Sequence, residues 1–381
     1  MIASSLNHTN RHTQHCDVCV IGGGLMGSAV ALGLARQGAK VLMLDRLSAM
    51  QRASKANFGL IWSQSKGLGN VAYRRLSINA ALAFREFGPR LEQETGIDME
   101  MRLGAGLILA IGDKEREIRK NISTRIQRQD EQYGGIHSPR MVDRADIQAM
   151  IGTAMLGQDV RGGSFCDIDG DINPLLLLKA MRKAFLQQNG RFRQNCAIRL
   201  IRRKNHVWII DTPYGPITTP RIVLAAGLGN IELAAGMGTA IPVMPQKGQL
   251  LVTERMAPFL PFPMSGIRQT DNGSVMIGYT QENTGFDVDT STAATRQLAG
   301  RALSAFPGLS HAQVVRSWAG LRVLTKDGFP IYDTIDEHAF LLVTHSCVTL
   351  ASLHASLLPP WILGGAKPDD IQSFDLERFH V

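Results

Sequence analysis

Residues 17–21, Asp-Val-Cys-Val-Ile, run directly into Gly22-Gly23-Gly24-Leu25-Met26-Gly27, and this stretch restricts the fold more than any other in the chain. The apolar pentapeptide predicts a buried strand. The glycines predict a tight turn, and the small apolar residues from about Leu25 to Gln37 predict a helix that Gly38 terminates. A second apolar strand, Val41 to Leu44, then ends in Asp45-Arg46. Strand, glycine turn, helix, strand and acid together make a βαβ dinucleotide-binding fingerprint. Gly22 permits the turn, Gly24 lets the backbone approach a pyrophosphate, and Gly27 lets the helix pack closely on the sheet, helped by Ala31 and Ala35. The first helical turn, with Leu25 and Met26, offers free N–H groups and positive dipole to the phosphates. Asp45 is placed to accept hydrogen bonds from a ribose diol, with Arg46 beside it.

The fingerprint alone does not choose between NAD and FAD. Its position at the extreme N-terminus, with catalytic-looking segments returning near the C-terminus, suits a buried FAD. A second apolar strand within residues 221–230 ends in Ala226-Gly227, small residues that let the chain pass close to a dinucleotide. The chain of 381 residues suits two intertwined domains. A flexible tail is expected over 1–15, an FAD-binding domain over 16–85, 161–240 and 311–381, and a substrate domain over 86–160 and 241–310. The architecture expected is α/β plus antiparallel sheet: a Rossmann-like FAD domain with a second, sheet-based domain. Asn173-Pro174 predicts the start of a helix. Short strands around 197–203, 206–212 and 215–219 predict a meander. Asp271-Asn272-Gly273 predicts a hairpin turn between strands, 293–306 a helix, 340–344 a strand, and a final helix is expected from about Val348.

Composition excludes several classes. The net charge of +8 includes the cluster Arg202-Arg203-Lys204, but this falls at a hairpin turn with no interleaved aromatics, so nucleic acid is not expected; anionic substrates or an acidic partner suit the charge. No apolar run is long enough for a membrane helix, and the polar first 15 residues do not resemble a secretory signal, which predicts a cytoplasmic protein. Five cysteines, an odd number, argue against a disulfide framework. Cys16 and Cys19, three apart on a strand, are expected to point to opposite faces and not to share a metal. His8, His12, His15 and Cys16 have spacings a metal accepts, but no second cluster completes a site, and no metal is expected.

Four motifs in order extend the reading along almost the whole chain. They are the fingerprint, Asp169-Gly-Asp-Ile-Asn-Pro174, Pro245-Gln-Lys-Gly-Gln249, and Trp318-Ala-Gly-Leu-Arg322 followed by Thr325-Lys-Asp-Gly328. With them the chain resembles the D-amino-acid oxidase superfamily, in its branch of glycine oxidase, sarcosine oxidase and D-amino-acid dehydrogenase. Ala53 to Trp62, Gln64, Lys66-Gly67, Arg268-Gln-Thr, Ile277-Gly and Gly285-Phe-Asp287 resemble the β subunits of D-hydroxyproline dehydrogenase and of opine (octopine or nopaline) oxidases. The resemblance implies FAD as cofactor, a larger α subunit and a small iron–sulfur subunit as partners, and admits a second flavin (FMN) at a subunit interface. Two positions depart from the pattern: Cys347 stands where a glycine is expected in the flavin loop, and Val323 where a proline is.

The chemistry implied is oxidation of a C–N bond beside a carboxylate, in a D-amino acid, a cyclic imino acid or an opine. Arg322 is the expected carboxylate anchor, since a guanidinium fork fixes orientation as well as charge. A structural ion pair with Asp327 or Asp333 is its alternative. His345 is expected to contact flavin or substrate, or else to be a satisfied loop histidine. Lys66 or Lys247 would hold positive charge near the flavin, or else be solvated. The resemblance assigns Ser54, Ala56, Asn57, Gly320, Ser346, Cys347, Val348 and Thr349 to the cofactor alongside the fingerprint residues. The competing functional reading is a flavin-bearing scaffold subunit of an electron-transfer complex. A monooxygenase is disfavoured by the C-terminal signature.

Overall fold

The computed structural model describes residues 14–46, 53–132, 134 and 137–379. A period of two decides how its main sheet is covered. Val18 and Val20 join an apolar cluster with the helices Leu25–Arg36 and Pro174–Gln187, whereas Cys19 and Ile21 join a second cluster with Trp208 and Ile210 on the opposite face. A strand covered on both faces has no polar side, hence the unbroken apolar runs Val18–Ile21 and Val41–Leu44. The sheet has six strands in the order Arg191–Arg193, Val41–Leu44, Val18–Ile21, Arg221–Leu224, Ala339–Val343 and Ile331–Asp336. Neighbours are parallel except the last pair, which is antiparallel.

Helix Leu25–Arg36 buries every residue but Arg36. It lies between the sheet, the helix Pro174–Gln187 and the C-terminal helix Ala351–Ser356. Gly33 makes that sandwich possible, because a Cβ there would lie 2.1 Å from the Ala355 carbonyl oxygen. Asn173 caps the helix Pro174–Gln187 by accepting from the Leu175 and Leu176 amides. The expected meander forms the other layer, from Leu200–Lys204, Val207–Thr212 and Gly215–Thr219.

Antiparallel sheets make the rest. Val243–Arg255 pairs with Ser274–Gly278 and with Val314–Thr325, and Gly106–Ile111 pairs with Val160–Cys166. The turn at Asp271-Asn272-Gly273 joins Ile267–Gln269 to Ser274–Gly278, with Gly273 at φ +91°. Helix Val71–Thr95 runs unbroken across residues 85 and 86, and Val160–Cys166 and Val314–Thr325 pair within these antiparallel sheets rather than with the parallel one. Among the described residues no helix is long and apolar enough to cross a membrane.

Three expectations change. Gln14 and His15, placed in a flexible tail, form a strand parallel to Ile217 and Thr218; His8 and His12 lie outside the described residues. Cys16 and Cys19 share one apolar cluster instead of facing apart, because Cys16 precedes the strand Val18–Ile21 and escapes its alternation. Among the described residues no group of three or more His, Cys, Asp or Glu is arranged to hold a metal. The expected final helix begins at Ala351, since residues 347–350 are taken up by turns, and it is split into Ala351–Ser356 and Leu358–Ile362.

Candidate functional site

The parallel strands end together, and the loops leaving them form a cleft lined by Gly22, Gly24, Leu25 and Met26, by Asp45 and Arg46, and by Ala226 and Gly227. This is the carboxyl edge where open α/β sheets bind nucleotides. Close approach explains the glycines. A Cβ at Gly27 would lie 1.8 Å from the Gly22 carbonyl oxygen, so Gly27 packs behind the cleft instead of lining it. Gly22 sits at φ +114°, with the Ala225 carbonyl oxygen 2.4 Å from where its Cβ would be. Ser54 reaches the helix start, its Oγ accepting from the Leu25 amide at 3.0 Å. Asp45 is buried and accepts from the Gly23 amide at 3.1 Å; Arg46 stands exposed at the rim beside Glu232. A helix N-terminus, a serine hydroxyl and an acid at the second strand's end fit the phosphates and ribose of a dinucleotide.

The cleft continues past Leu321, Val323, Thr344, His345 and Cys347. There it meets a second cleft of about 430 Å³, within the usual range of small-molecule sites. Asn57, Leu321 and His345 line both. Ala56, Gly320, Arg322, Ser346, Val348 and Thr349 line the second, as do Lys66, Phe58, Gln246, Tyr279 and Gln281. The residues expected from the sequence to bind cofactor or substrate thus lie on one or both clefts, except Gly27 and Lys247. Gly320 is needed at the junction, since a Cβ there would come within 2.3 Å of the Ala56 Cβ.

Antiparallel pairing positions Arg322. Val314–Thr325 sets Arg322 opposite Gln246 and Gly320 opposite Gly248. Gly248 leaves room for the guanidinium, because its Cβ would lie 2.6 Å from Arg322 Nη2. Nη1 donates to Gln246 Oε1 at 3.0 Å and to the Lys247 carbonyl at 3.5 Å, and Nη2 to the Thr280 carbonyl at 2.8 Å. The Tyr279 ring lies 4.8 Å from the guanidinium carbon. Neither acid proposed as its alternative partner reaches it: Asp327 binds Arg378, and Asp333 accepts from the Leu376 amide. Burial pulls the Arg322 guanidinium below its ordinary pKa, without bringing neutrality into reach of physiological pH.

Lys66 enters from the other side. Its Nζ donates to Ser346 Oγ at 2.7 Å and meets His345 Nε2 at 3.1 Å. Burial pushes its ammonium down to about 8, with Asp169 opposing and Arg322 assisting. The Lys66 charge, then burial, then Arg322 hold His345 well below its usual pKa, so its ring is neutral. Asp169, from the Asp-Gly-Asp motif, accepts from the Ser63 amide at 2.6 Å and the Ser63 hydroxyl at 2.7 Å, bracing the segment that carries Lys66. Lys247, the other expected lysine, lines neither cleft and is tied to Asp287 at 2.7 Å and Glu282 at 3.5 Å.

The loop after Ala339–Val343 is stitched down by its own side chains. Ser346 Oγ lies 2.8 Å from the Tyr73 hydroxyl, and Thr349 Oγ1 accepts from the Trp62 amide at 3.0 Å. Cys347 donates to the Thr344 carbonyl at 3.3 Å and lines the first cleft together with Leu25 and Met26, at the start of the first helix. Burial pushes this thiol up to about 12, so it stays protonated. Sequence reasoning missed Tyr279, Gln246, Gln281 and Phe58. Gln246 was recoverable, because pairing the Pro245–Gln249 strand with the Trp318–Arg322 strand puts it opposite Arg322.

The chain is 36% identical over 369 residues to the B subunit of opine oxidase from Rhizobium meliloti, covering 95% of this chain and 97% of that one. It is 37% identical over 368 residues to the B subunit of opine oxidase from Agrobacterium tumefaciens, covering 96% and 98%. Among solved structures, glycine oxidase from Geobacillus kaustophilus has the same fold, with a TM-score of 0.85 at 22% identity over 96% of this chain and 99% of that one. Residues 17–358 match the family model described as FAD dependent oxidoreductase, and the chain belongs to that family, DAO.

Proposed function

We propose that this protein oxidises the C–N bond of a small amine acid to an imine, as the catalytic subunit of a heteromeric dehydrogenase or oxidase. The substrate class is a D-amino acid, a cyclic imino acid such as D-hydroxyproline, or an opine. The observation that carries this reading is Arg322, a half-buried guanidinium on the wall of the second cleft whose protein partners among the described residues are all neutral oxygens. Such a group is stabilised when a carboxylate arrives.

FAD, when bound, supplies the hydride acceptor. Gly22 and Gly24, with Leu25 and Met26 at the helix start, would line its pyrophosphate, Gly27 keeps helix and sheet close, and Asp45 and Arg46 would take the ribose end. Ser54, Ala56, Asn57, Ala226, Gly227, Gly320 and the loop Ser346-Cys347-Val348-Thr349 enclose the remainder. Arg322 binds the substrate carboxylate, and Tyr279 stacked on it fixes the plane of the fork. His345, neutral at the junction of the clefts, contacts substrate or flavin without adding charge. The imine formed is then open to hydrolysis by water.

The heteromeric role is supported by the two opine oxidase relatives, each of which is one subunit of its enzyme. A larger α subunit, a small iron–sulfur subunit and an interfacial FMN are the partners expected from the resemblance. Five unpaired cysteines suit a reducing, cytoplasmic setting. The test is anaerobic bleaching of the flavin absorbance by D-amino acids, cis-4-hydroxy-D-proline, sarcosine, octopine and nopaline, with and without co-expressed partners. Bleaching by one compound is the expected result. Cys347 at the start of the first helix favours a second reading, a scaffold subunit whose flavin no amine acid reduces. Bound flavin that stays oxidised in the assembled complex would establish that reading instead.

A further inference from the structure

The second cleft carries two cations and, among the described residues, no carboxylate in ion-pair contact with either. Arg322 is held by Gln246 Oε1 and by two backbone carbonyls. Lys66 is held by Ser346 Oγ and His345 Nε2. Asp169, the acid that acts on Lys66, turns its oxygens to Ser63 and Gln64. Three other buried cations, all outside the two clefts, do have carboxylates: Arg74 has Asp130, Arg268 has Asp171, and Lys247 has Asp287, whereas Arg119, also outside the clefts, bonds Ser65 Oγ. Desolvating an unpaired charge is unfavourable, so a cleft built with two of them is matched by a ligand that brings two anionic groups.

One carboxylate on Arg322 leaves the Lys66 charge uncompensated. The ammonium has three donors, and Ser346 and His345 occupy two. The neighbouring imidazole is neutral and offers no countercharge. Gln281 and Gln246 add neutral donors to the same cleft. We propose that Lys66 is a specificity-determining residue that binds a second carboxylate, so that the site selects amine acids bearing two carboxylates over those bearing one. This rests on the reading of the cleft as the amine-acid site and narrows its substrate class.

The test uses ligands that cannot be oxidised, read by perturbation of the visible flavin spectrum of the holoprotein. Propionate serves as the monocarboxylate, and malonate, succinate and glutarate as dicarboxylates of graded length. In the wild type the best-fitting dicarboxylate should bind about 10- to 100-fold tighter than propionate, the range of one charge-assisted hydrogen bond. Lys66→Met should abolish that preference, and Lys66→Arg should restore part of it. Lys66→Gln, which can keep the Ser346 contact, replaces Lys66→Met if the latter does not retain flavin. The proposal is overturned if the preference is absent in the wild type, or survives in the methionine or glutamine variant. A shift in flavin midpoint potential with the preference unchanged would assign Lys66 to the cofactor instead. Because these ligands are not turned over, failure of every amine acid to bleach the flavin would count against the proposed activity, while the binding preference decides Lys66 separately.

Discussion

Replacing Arg322 by methionine removes the fork while keeping most of the side chain's bulk. A guanidinium has five N–H donors, and Gln246, Lys247 and Thr280 take three of them. What remains is the Nε–H and one Nη2–H, the pair that makes a side-on, bidentate contact with a carboxylate. Each charge-assisted hydrogen bond is worth roughly 1.5–3 kcal/mol, and two sharing one carboxylate do not add fully. A net loss of about 3 kcal/mol corresponds to a Kd raised on the order of 10²-fold. Stopped-flow reduction of the flavin separates the effect, since the concentration dependence reports Kd and the plateau reports the rate of reduction. The Kd should carry most of the loss, with a smaller fall in the plateau from misorientation. Arg322→Lys should recover the charge but not the fork, and bind between the two. An Arg322→Met protein binding within about threefold of wild type would refute the assignment of Arg322 as the anchor.

Gly27→Val should yield protein without bound flavin, because its Cβ would lie 1.8 Å from the Gly22 carbonyl oxygen; the absorbance ratio of the purified protein checks this, and full flavin occupancy would contradict it. Arg74→Leu breaks a bidentate ion pair with Asp130 in which both side chains are almost fully buried. It should cost about 3–5 kcal/mol and lower Tm by about 5 °C in a melting experiment. Lys66, facing His345, Ser346, Asp169 and Arg322, makes a signed pH prediction. Its folded pKa of about 8 lies below the ordinary 10.5, so between these values the unfolded chain binds more protons and stability rises with pH. The unfavourable contribution is fully present below pH 8. Lys66→Met should therefore raise the Tm of ligand-free protein by about 3 °C at pH 7, with the gain vanishing towards pH 10.5.

What the chain declares locally, the sequence alone determined. The strands Val18–Ile21 and Val41–Leu44, the helix between them and the glycines at their junctions follow from near-neighbour periodicity and from turns that exclude a Cβ. The hairpin at Asn272-Gly273 and the cap at Asn173 were legible for the same reason. Contacts between distant segments were not. Lys66 meets His345 across 279 residues of sequence, and nothing near either residue marks the other as its neighbour. Asp327 and Asp333 looked like partners for Arg322 because they are close in sequence, yet an extended strand carries them away from a guanidinium whose true neighbours are Gln246 and Thr280. Cys16 and Cys19 show the same limit on a smaller scale, since one residue outside a strand escapes the alternation that rules those inside it. Backbone periodicity is encoded within a few residues, whereas the charge balance of the cleft depends on which surfaces the completed sheets bring together, and only the tertiary structure decides that.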